Sequence, residues 1–211
     1  MDRQARLASL LAGDGLWEPP AAEPASTMVL LREGEVLLLR RVASMKFAPH
    51  MHVFPGGRLD AADLTDADPS QACARRETWE EVSIRVDSCS LIDRWVTPEI
   101  EERRYDVSFY LATTAEVGRL TTTEADTMLW LSPIEALDRH ARGELPMLRP
   151  TSAVLQGLRE GVYEDPGEVR PKLPRRRHDG LWDVVDADSG RVLAGGIEGP
   201  YRAETDGGLL P

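Results

Sequence analysis

The reading of the chain turns on one stretch, Pro55-Gly56-Gly57-Arg58-Leu59-Asp60, continuing through Asp63 to Arg76-Glu77-Thr78-Trp79-Glu80-Glu81-Val82-Ser83-Ile84. Residues 69 to 82 have helical character, and on a helix Glu77, Glu80 and Glu81 stand at i, i+3 and i+4, so their carboxylates share one face about a turn long. Like charges at that spacing repel by a few tenths of a kcal/mol per pair at a solvated surface, and by more when partly buried. A divalent cation such as Mg²⁺ or Mn²⁺ reverses the sign of that interaction, because hard cations prefer carboxylate oxygens. An acidic solvated helix face is the commoner reason for a run of Glu. The fixed order Arg-Glu-x-x-Glu-Glu behind a Gly-Gly turn is what argues for a metal-holding face instead.

Working outward, Thr27-Met28-Val29-Leu30-Leu31-Arg32 and Val36-Leu37-Leu38-Leu39-Arg40-Arg41 flank Glu33-Gly34-Glu35 and predict a hairpin buried on both faces. Residues 42 to 54 lack a period and read as a loop ending in the sharp turn Pro55-Gly56-Gly57. Leu91 to Val96, Tyr105 to Leu111 and Met128 to Leu131 read as strands. Ser132-Pro133-Ile134-Glu135 is a capping box that starts a helix running to about Arg142, and a further helix spans Ser152 to Glu160. Strands and helices follow one another without regular βαβ alternation. The expected fold class is therefore α+β, with a mixed β-sheet between helices.

The ends differ from the middle. Residues 1 to 25 read as a leader of uncertain order, closing on Pro19-Pro20-Ala21-Ala22-Glu23-Pro24, which cannot be a helix interior or a central strand. Residues 26 to 160 form the expected domain, and 161 to 211 an extension in which Trp182 to Val185 and Arg191 to Leu193 make a hairpin behind the basic run Arg175-Arg176-Arg177-His178. An isolated two-stranded hairpin is marginal in water, so it must pack on its own subunit or on a second one. The expectation is a homodimer, with Arg175 to Arg177 near the neighbour's site.

Composition sets the outer limits. A chain of 211 residues with 42% hydrophobic content suits one core, no stretch approaches a bilayer span, and the expected location is cytoplasmic. Two cysteines, Cys73 and Cys89, are too few for a disulfide framework or a zinc site. A formal charge of −11 argues against nucleic-acid binding and for metal assistance with any phosphate substrate.

These residues resemble the Nudix family, whose box is a glycine-led loop, a helix and a closing loop that together hold metal. Gly57 takes the first glycine, Asp63 falls where a Glu is expected, and Arg76-Glu77 with Glu80-Glu81 match the core of the box. The resemblance implies an α/β/α sandwich, Glu77, Glu80 and Glu81 as ligands of Mg²⁺ or Mn²⁺ with the Gly56 carbonyl as a further one, Arg76 paired to Asp63, and Ile84 packed inward. The chain departs from the pattern in three places: five extra residues between Asp63 and Arg76, Thr78 for an aliphatic residue, and Ser83 for the glycine that closes the helix. Ser83 would then adopt a left-handed conformation at a cost of around 1 kcal/mol.

Beyond the box, Met45 to Gly57, Trp95-Val96-Thr97-Pro98 and Arg104-Tyr105-Asp106 look like a branch that includes a peroxisomal coenzyme A diphosphatase. The resemblance implies hydrolysis of a diphosphate in a small-molecule nucleoside diphosphate derivative, coenzyme A or an acyl-coenzyme A being favoured. ADP-ribose, dinucleotides or nucleoside triphosphates are the alternative substrates, and a non-catalytic Nudix-fold binding module is the alternative class. Glu81 or Glu124 would be the general base. Arg40, His52, Phe54 and Arg104 are the candidate substrate-binding residues, although Arg104 could instead pair with Glu101 or Glu102. Trp79 is expected in the core.

Overall fold

A computed structural model describes residues 1–45, 47–164 and 167–197. Its elements, in chain order, are α1 (Arg3–Ala12), β1 (Glu23–Arg32), β2 (Glu35–Arg41), β3 (His52–Val53), β4 (Gly56–Arg58), α2 (Pro69–Val82), β5 (Ser90–Val96), β6 (Tyr105–Thr113), β7 (Ala125–Leu131), α3 (Pro133–Ala141), α4 (Arg149–Arg159), β8 (Pro171–Arg176), β9 (Trp182–Asp186) and β10 (Val192–Ile197). They fall into two compact units that interleave along the chain. The larger takes Ala25–Asp93 and Ser108–Val169, and the smaller takes Met1–Pro24, Arg94–Val107 and the described residues from Arg170 onward.

In the larger unit the β1–β2 hairpin turns on Glu33 and Gly34, both at positive φ (52° and 84°), with Arg32 opposite Glu35. Two successive positive φ values make the tight turn whose twist suits antiparallel strands, and Gly34 accepts one of them without strain. β6 flanks β1, while β3 and β7 both pair with β2 and β4 pairs with β1. Met28, Leu30, Leu37 and Leu39 pack with Ala74 and Val82 of α2 and with Ile84. Val29, Val36 and Leu38, which point the other way, are equally buried. Both faces of these strands are thus covered, and α3 and α4 pack together in the helical layer. Each such side chain contributes roughly 1.5–3 kcal/mol by leaving water.

The strand that continues the smaller unit was hidden by its prolines. Residues 171 to 176 form β8, which pairs in parallel with β5 through Arg94 opposite Pro171 and Trp95 opposite Lys172, making the sheet a mixed one. Pro174 lies beyond those paired positions, where its missing N–H leaves no ladder bond unmade. β9 pairs with β8 and β10 with β9, so the C-terminal hairpin is the outer part of a three-stranded meander on this chain's own β5. The hairpin thus has a partner strand within its own chain. The basic run is engaged locally as well: Arg175 lies 3.5 Å from Glu99, Arg177 pairs with Asp179 at 2.7 Å, and Arg176 stands over the Trp182 ring.

The N-terminal segment holds regular structure, and the placement of Trp79 needs correcting. Residues 1 to 25 contain helix α1, capped by the Asp2 side chain on the Ala5 N–H and closed by left-handed Gly13, and β1 begins at Glu23. Trp79 is 46% exposed, not in the core, and the Arg85 guanidinium lies over its ring at 4.6 Å.

Candidate metal and hydrolase site

Helix α2 positions the carboxylates. Asp68 caps it through the Gln71 N–H, Pro69 fills its first turn, and Ser83 ends it at φ 55°, the left-handed conformation expected where the box has glycine. Thr78 faces the core at 0% exposure because its hydroxyl bonds the Ala74 carbonyl at 2.7 Å, leaving its methyl as the apolar surface. Ile84 is fully buried, as the resemblance implied.

Arg76 organises the loop in front of the helix. Its Nε and Nη2 make a two-pronged pair with Asp63 at 3.0 and 2.8 Å, and Nη2 also donates to the Arg58 carbonyl at 3.1 Å. Its Nη1 donates to Glu77 at 2.9 Å and to Glu80 at 3.1 Å. Asp63 is 3% exposed, and the guanidinium beside it holds its carboxyl below the usual carboxylate range. The same ion pairs raise the already high Arg76 pKa further. One cation thereby ties the loop to the helix, as the Asp63 pairing predicted.

Two glycines allow close approach, Gly57 of a carboxylate and Gly56 of strand β1. A side-chain carbon on Gly57 would collide with the Glu77 carboxylate, and one on Gly56 would stand 2.7 Å from the Thr27 Cα. The Gly56 N–H donates to Glu81 Oε2 at 2.9 Å. Glu81 is 8% exposed, and burial pushes its carboxyl up to about 7 against the opposing pull of that N–H. Glu77 is raised as well, by burial first, with Arg76 opposing and the negative charges of Glu80 and Glu124 adding. Glu124, which acts electrostatically on both, is fixed beside β2 by its carbonyl, which accepts the Val42 N–H at 2.9 Å. A bulge at Asp126 of β7, between the pairs Arg40–Thr127 and Arg41–Ala125, sits at the same place.

Among the described residues, no three histidine, cysteine, aspartate or glutamate side chains converge closely enough to enclose a metal ion. Arg76 Nη1 lies between Glu77 and Glu80, while Glu81 turns to the Gly56 N–H. The donor chemistry nonetheless fits Mg²⁺ or Mn²⁺: three hard carboxylates on one helical turn, two of them desolvated and held above their ordinary pKa.

Of the candidate substrate-binding residues, Arg40 and His52 stand opposite each other across β2 and β3. Arg40 pairs with Asp126 at 2.6 Å and is nearly half exposed. His52 is buried with Nδ1 3.3 Å from the Pro146 carbonyl, and burial lowers its pKa. Phe54 is buried edge-on against Phe109 at 6.3 Å. Arg104 belongs to the smaller unit and donates to the Thr97 and Pro20 carbonyls, while Glu101 and Glu102 pair with Arg3 and Arg6. The expected pairing of Arg104 with those glutamates is replaced by backbone contacts. Thr121, whose Oγ1 donates to the Glu80 carbonyl at 2.7 Å, carries no periodic signal in its Thr-rich loop.

The NUDIX domain family matches residues 22–150, more than half of the chain. A Caenorhabditis elegans protein provisionally named nudix hydrolase 7 is 27% identical over 154 residues, covering 54% of this chain. The chain spans about half the length of that curated relative, 52%. Among solved structures, a NUDIX hydrolase from Alicyclobacillus acidocaldarius is 27% identical with a TM-score of 0.61, covering 70% of this chain and 99% of its own. The NUDIX domain of Shewanella oneidensis NrtR, solved with ADP ribose, shares the fold at 16% identity and a TM-score of 0.54, covering 77% of this chain and 99% of its own. With the Arg76–Asp63 brace and the three helix carboxylates in place, and with the family matched over most of the larger unit, this chain belongs to the NUDIX domain family.

Proposed function

We propose that the chain is a Mg²⁺- or Mn²⁺-dependent hydrolase that cleaves the diphosphate linkage of a nucleoside diphosphate joined to another group. The observation that carries this reading is the retention of Glu77, Glu80 and Glu81 on one turn of α2, braced through Arg76 to a buried Asp63. A module that had lost turnover would have little reason to keep three mutually repelling carboxylates, two of them desolvated.

In this reading Glu77, Glu80 and Glu81 hold the metal, with the Gly56 carbonyl as a further donor. When bound, the ion neutralises phosphoryl charge and lowers the pKa of water. The chain supplies the rest. Arg76 fixes the Asp63 loop on the helix, Gly57 admits the Glu77 carboxylate, and a carboxylate accepts the proton of the attacking water as the bond from phosphorus to the bridging oxygen breaks. Glu81 and Glu124 are the two groups suited to that proton transfer. Glu124 would act from the loop before β7, where its charge is felt by Glu77 and Glu81.

Coenzyme A or an acyl-coenzyme A is the substrate we favour, on the sequence likeness of residues 45–57, 95–98 and 104–106. The resolving experiment is chromatographic separation of the phosphomonoester products formed with Mg²⁺ or Mn²⁺ from coenzyme A, ADP-ribose, a dinucleotide and a nucleoside triphosphate. Hydrolysis of one of them that vanishes in Glu80→Gln supports the reading. No hydrolysis of any, with metal still bound, would assign the chain to the binding modules.

A further inference from the structure

Helix α2 ends on its carboxylates, so the accounting of its last carbonyls bears directly on the site. An α-helix leaves its final four carbonyl groups without partners in the helix. Here all four are met. The Trp79 carbonyl accepts from the Ser83 N–H at 3.0 Å, and the Val82 carbonyl accepts from the Arg119 N–H at 2.9 Å. The other two belong to the glutamates. Thr121 Oγ1 donates to the Glu80 carbonyl at 2.7 Å, and the Thr121 N–H donates to the Glu81 carbonyl at 2.8 Å.

The loop that supplies these donors is held against the helix end. A side-chain carbon on Gly118 would stand 2.7 Å from Ile84 Cδ1 and 2.8 Å from the Val82 carbonyl, so the backbone passes as close as glycine allows. Three residues past Thr121 the same loop reaches Glu124, whose N–H bonds Thr122 Oγ1 at 3.1 Å and whose carbonyl takes the Val42 N–H. Thr121 therefore grips Glu80 and Glu81 at one end of a short segment whose other end is tied to β2. A helix closed by Ser83, which bears a side chain in a left-handed conformation, depends more on such outside bonds than one closed by glycine.

We infer that Thr121 is a positioning residue: its hydroxyl and N–H fix the Glu80–Glu81 turn relative to Glu124, and so set metal affinity without touching the metal. The inference rests on the metal-dependent reading above and names a residue of the same site. Thr121 is exposed, and a solvated hydrogen bond has a modest net value, so removing the hydroxyl should weaken metal binding by about threefold to tenfold.

The test is calorimetric titration of the full metal-free chain with Mn²⁺ alone, with the melting temperature of each variant as a control. Thr121→Val, which keeps the shape and the N–H but loses the hydroxyl, should raise the Mn²⁺ dissociation constant by at least threefold. Thr121→Pro, which loses both donors, should raise it further, and Thr121→Ser should match wild type. Unchanged Mn²⁺ affinity in Thr121→Val and Thr121→Pro overturns the inference whatever happens to melting, because a purely structural residue would move only the melting temperature. Equal weakening in Thr121→Ser and Thr121→Val overturns the role of the hydroxyl. A wild-type chain that binds no Mn²⁺ overturns the metal reading itself, and this inference with it.

Discussion

Glu81→Gln should stabilise the metal-free protein at alkaline pH while abolishing turnover. Glu81 is 8% exposed, and its carboxyl is carried from an ordinary 4.5 to about 7, mainly by burial. At 1.36 kcal/mol per pH unit, that places roughly 3 kcal/mol against the ionised form in the folded state. Between pH 4.5 and 7 the folded chain holds the Glu81 proton more tightly than the unfolded chain does. Stability from this group is therefore complete below pH 4.5 and is lost as pH rises through about 7. The amide of Gln can still accept the Gly56 N–H but does not ionise, so it escapes the loss. Thermal melts in excess EDTA, at pH 5 and pH 8.5, should show wild type falling behind Glu81→Gln by about 6 °C or more at the higher pH, taking 2–4 °C per kcal/mol for a chain of this size. A difference between the two proteins that is the same at both pH values would refute the claim that burial strains this carboxylate. Saturating Mg²⁺ should shrink the gap, since metal favours the ionised form of wild type only.

The same geometry makes further predictions. Glu80→Gln and Glu81→Gln should each lower turnover at least a hundredfold, about 2.7 kcal/mol of barrier, with the circular dichroism of wild type; steady-state rates near wild type in both would remove the mechanism. Arg76→Ala leaves Asp63 buried without its cation and should cost about 3–5 kcal/mol of stability, read by urea unfolding at neutral pH. The Arg76 pair also holds Asp63 below its ordinary 3.8, so the stability it contributes is present above that pH and lost as pH falls below it, a loss Arg76→Ala should not show. Gly57→Ala should fold, because the atoms it meets are the far end of a flexible side chain. By displacing the Glu77 carboxylate it should nonetheless weaken Mn²⁺ binding in a calorimetric titration.

The sequence was most legible where local and tertiary preferences agree. Helix α2 runs from Pro69 to Val82 as its cap, its proline and its three glutamates imply, and the β1–β2 hairpin turns at Glu33 and Gly34 between two apolar runs. The pairing of Arg76 with Asp63 was implied by the family resemblance, and it holds across the five extra residues, where it gives a near-buried carboxylate its cation. Strand β8 was obscured because Pro171 and Pro174 argue against a strand; Pro171 is tolerated as its first residue and Pro174 because it lies beyond the positions paired with β5. Helix α1 had its signals in Asp2 and Gly13, but the prolines that follow drew the whole segment into a leader. Trp79 was misplaced because being off the carboxylate face leaves two destinations, and Arg85 offers it a cationic cover at the surface. The contribution of Thr121 depends on a loop folding back onto a helix end, a tertiary contact with no local pattern.

The central claim, that the Glu77, Glu80 and Glu81 turn supports metal-dependent cleavage of a diphosphate, meets its most direct test in ³¹P NMR of coenzyme A incubated with the full chain. With Mg²⁺ or Mn²⁺ present, the diphosphate resonances should give way to phosphomonoester resonances. Excess EDTA or Glu80→Gln should stop the conversion. Diphosphate resonances that persist with metal, and that persist equally for ADP-ribose, dinucleotide and nucleoside triphosphate substrates, would contradict the account.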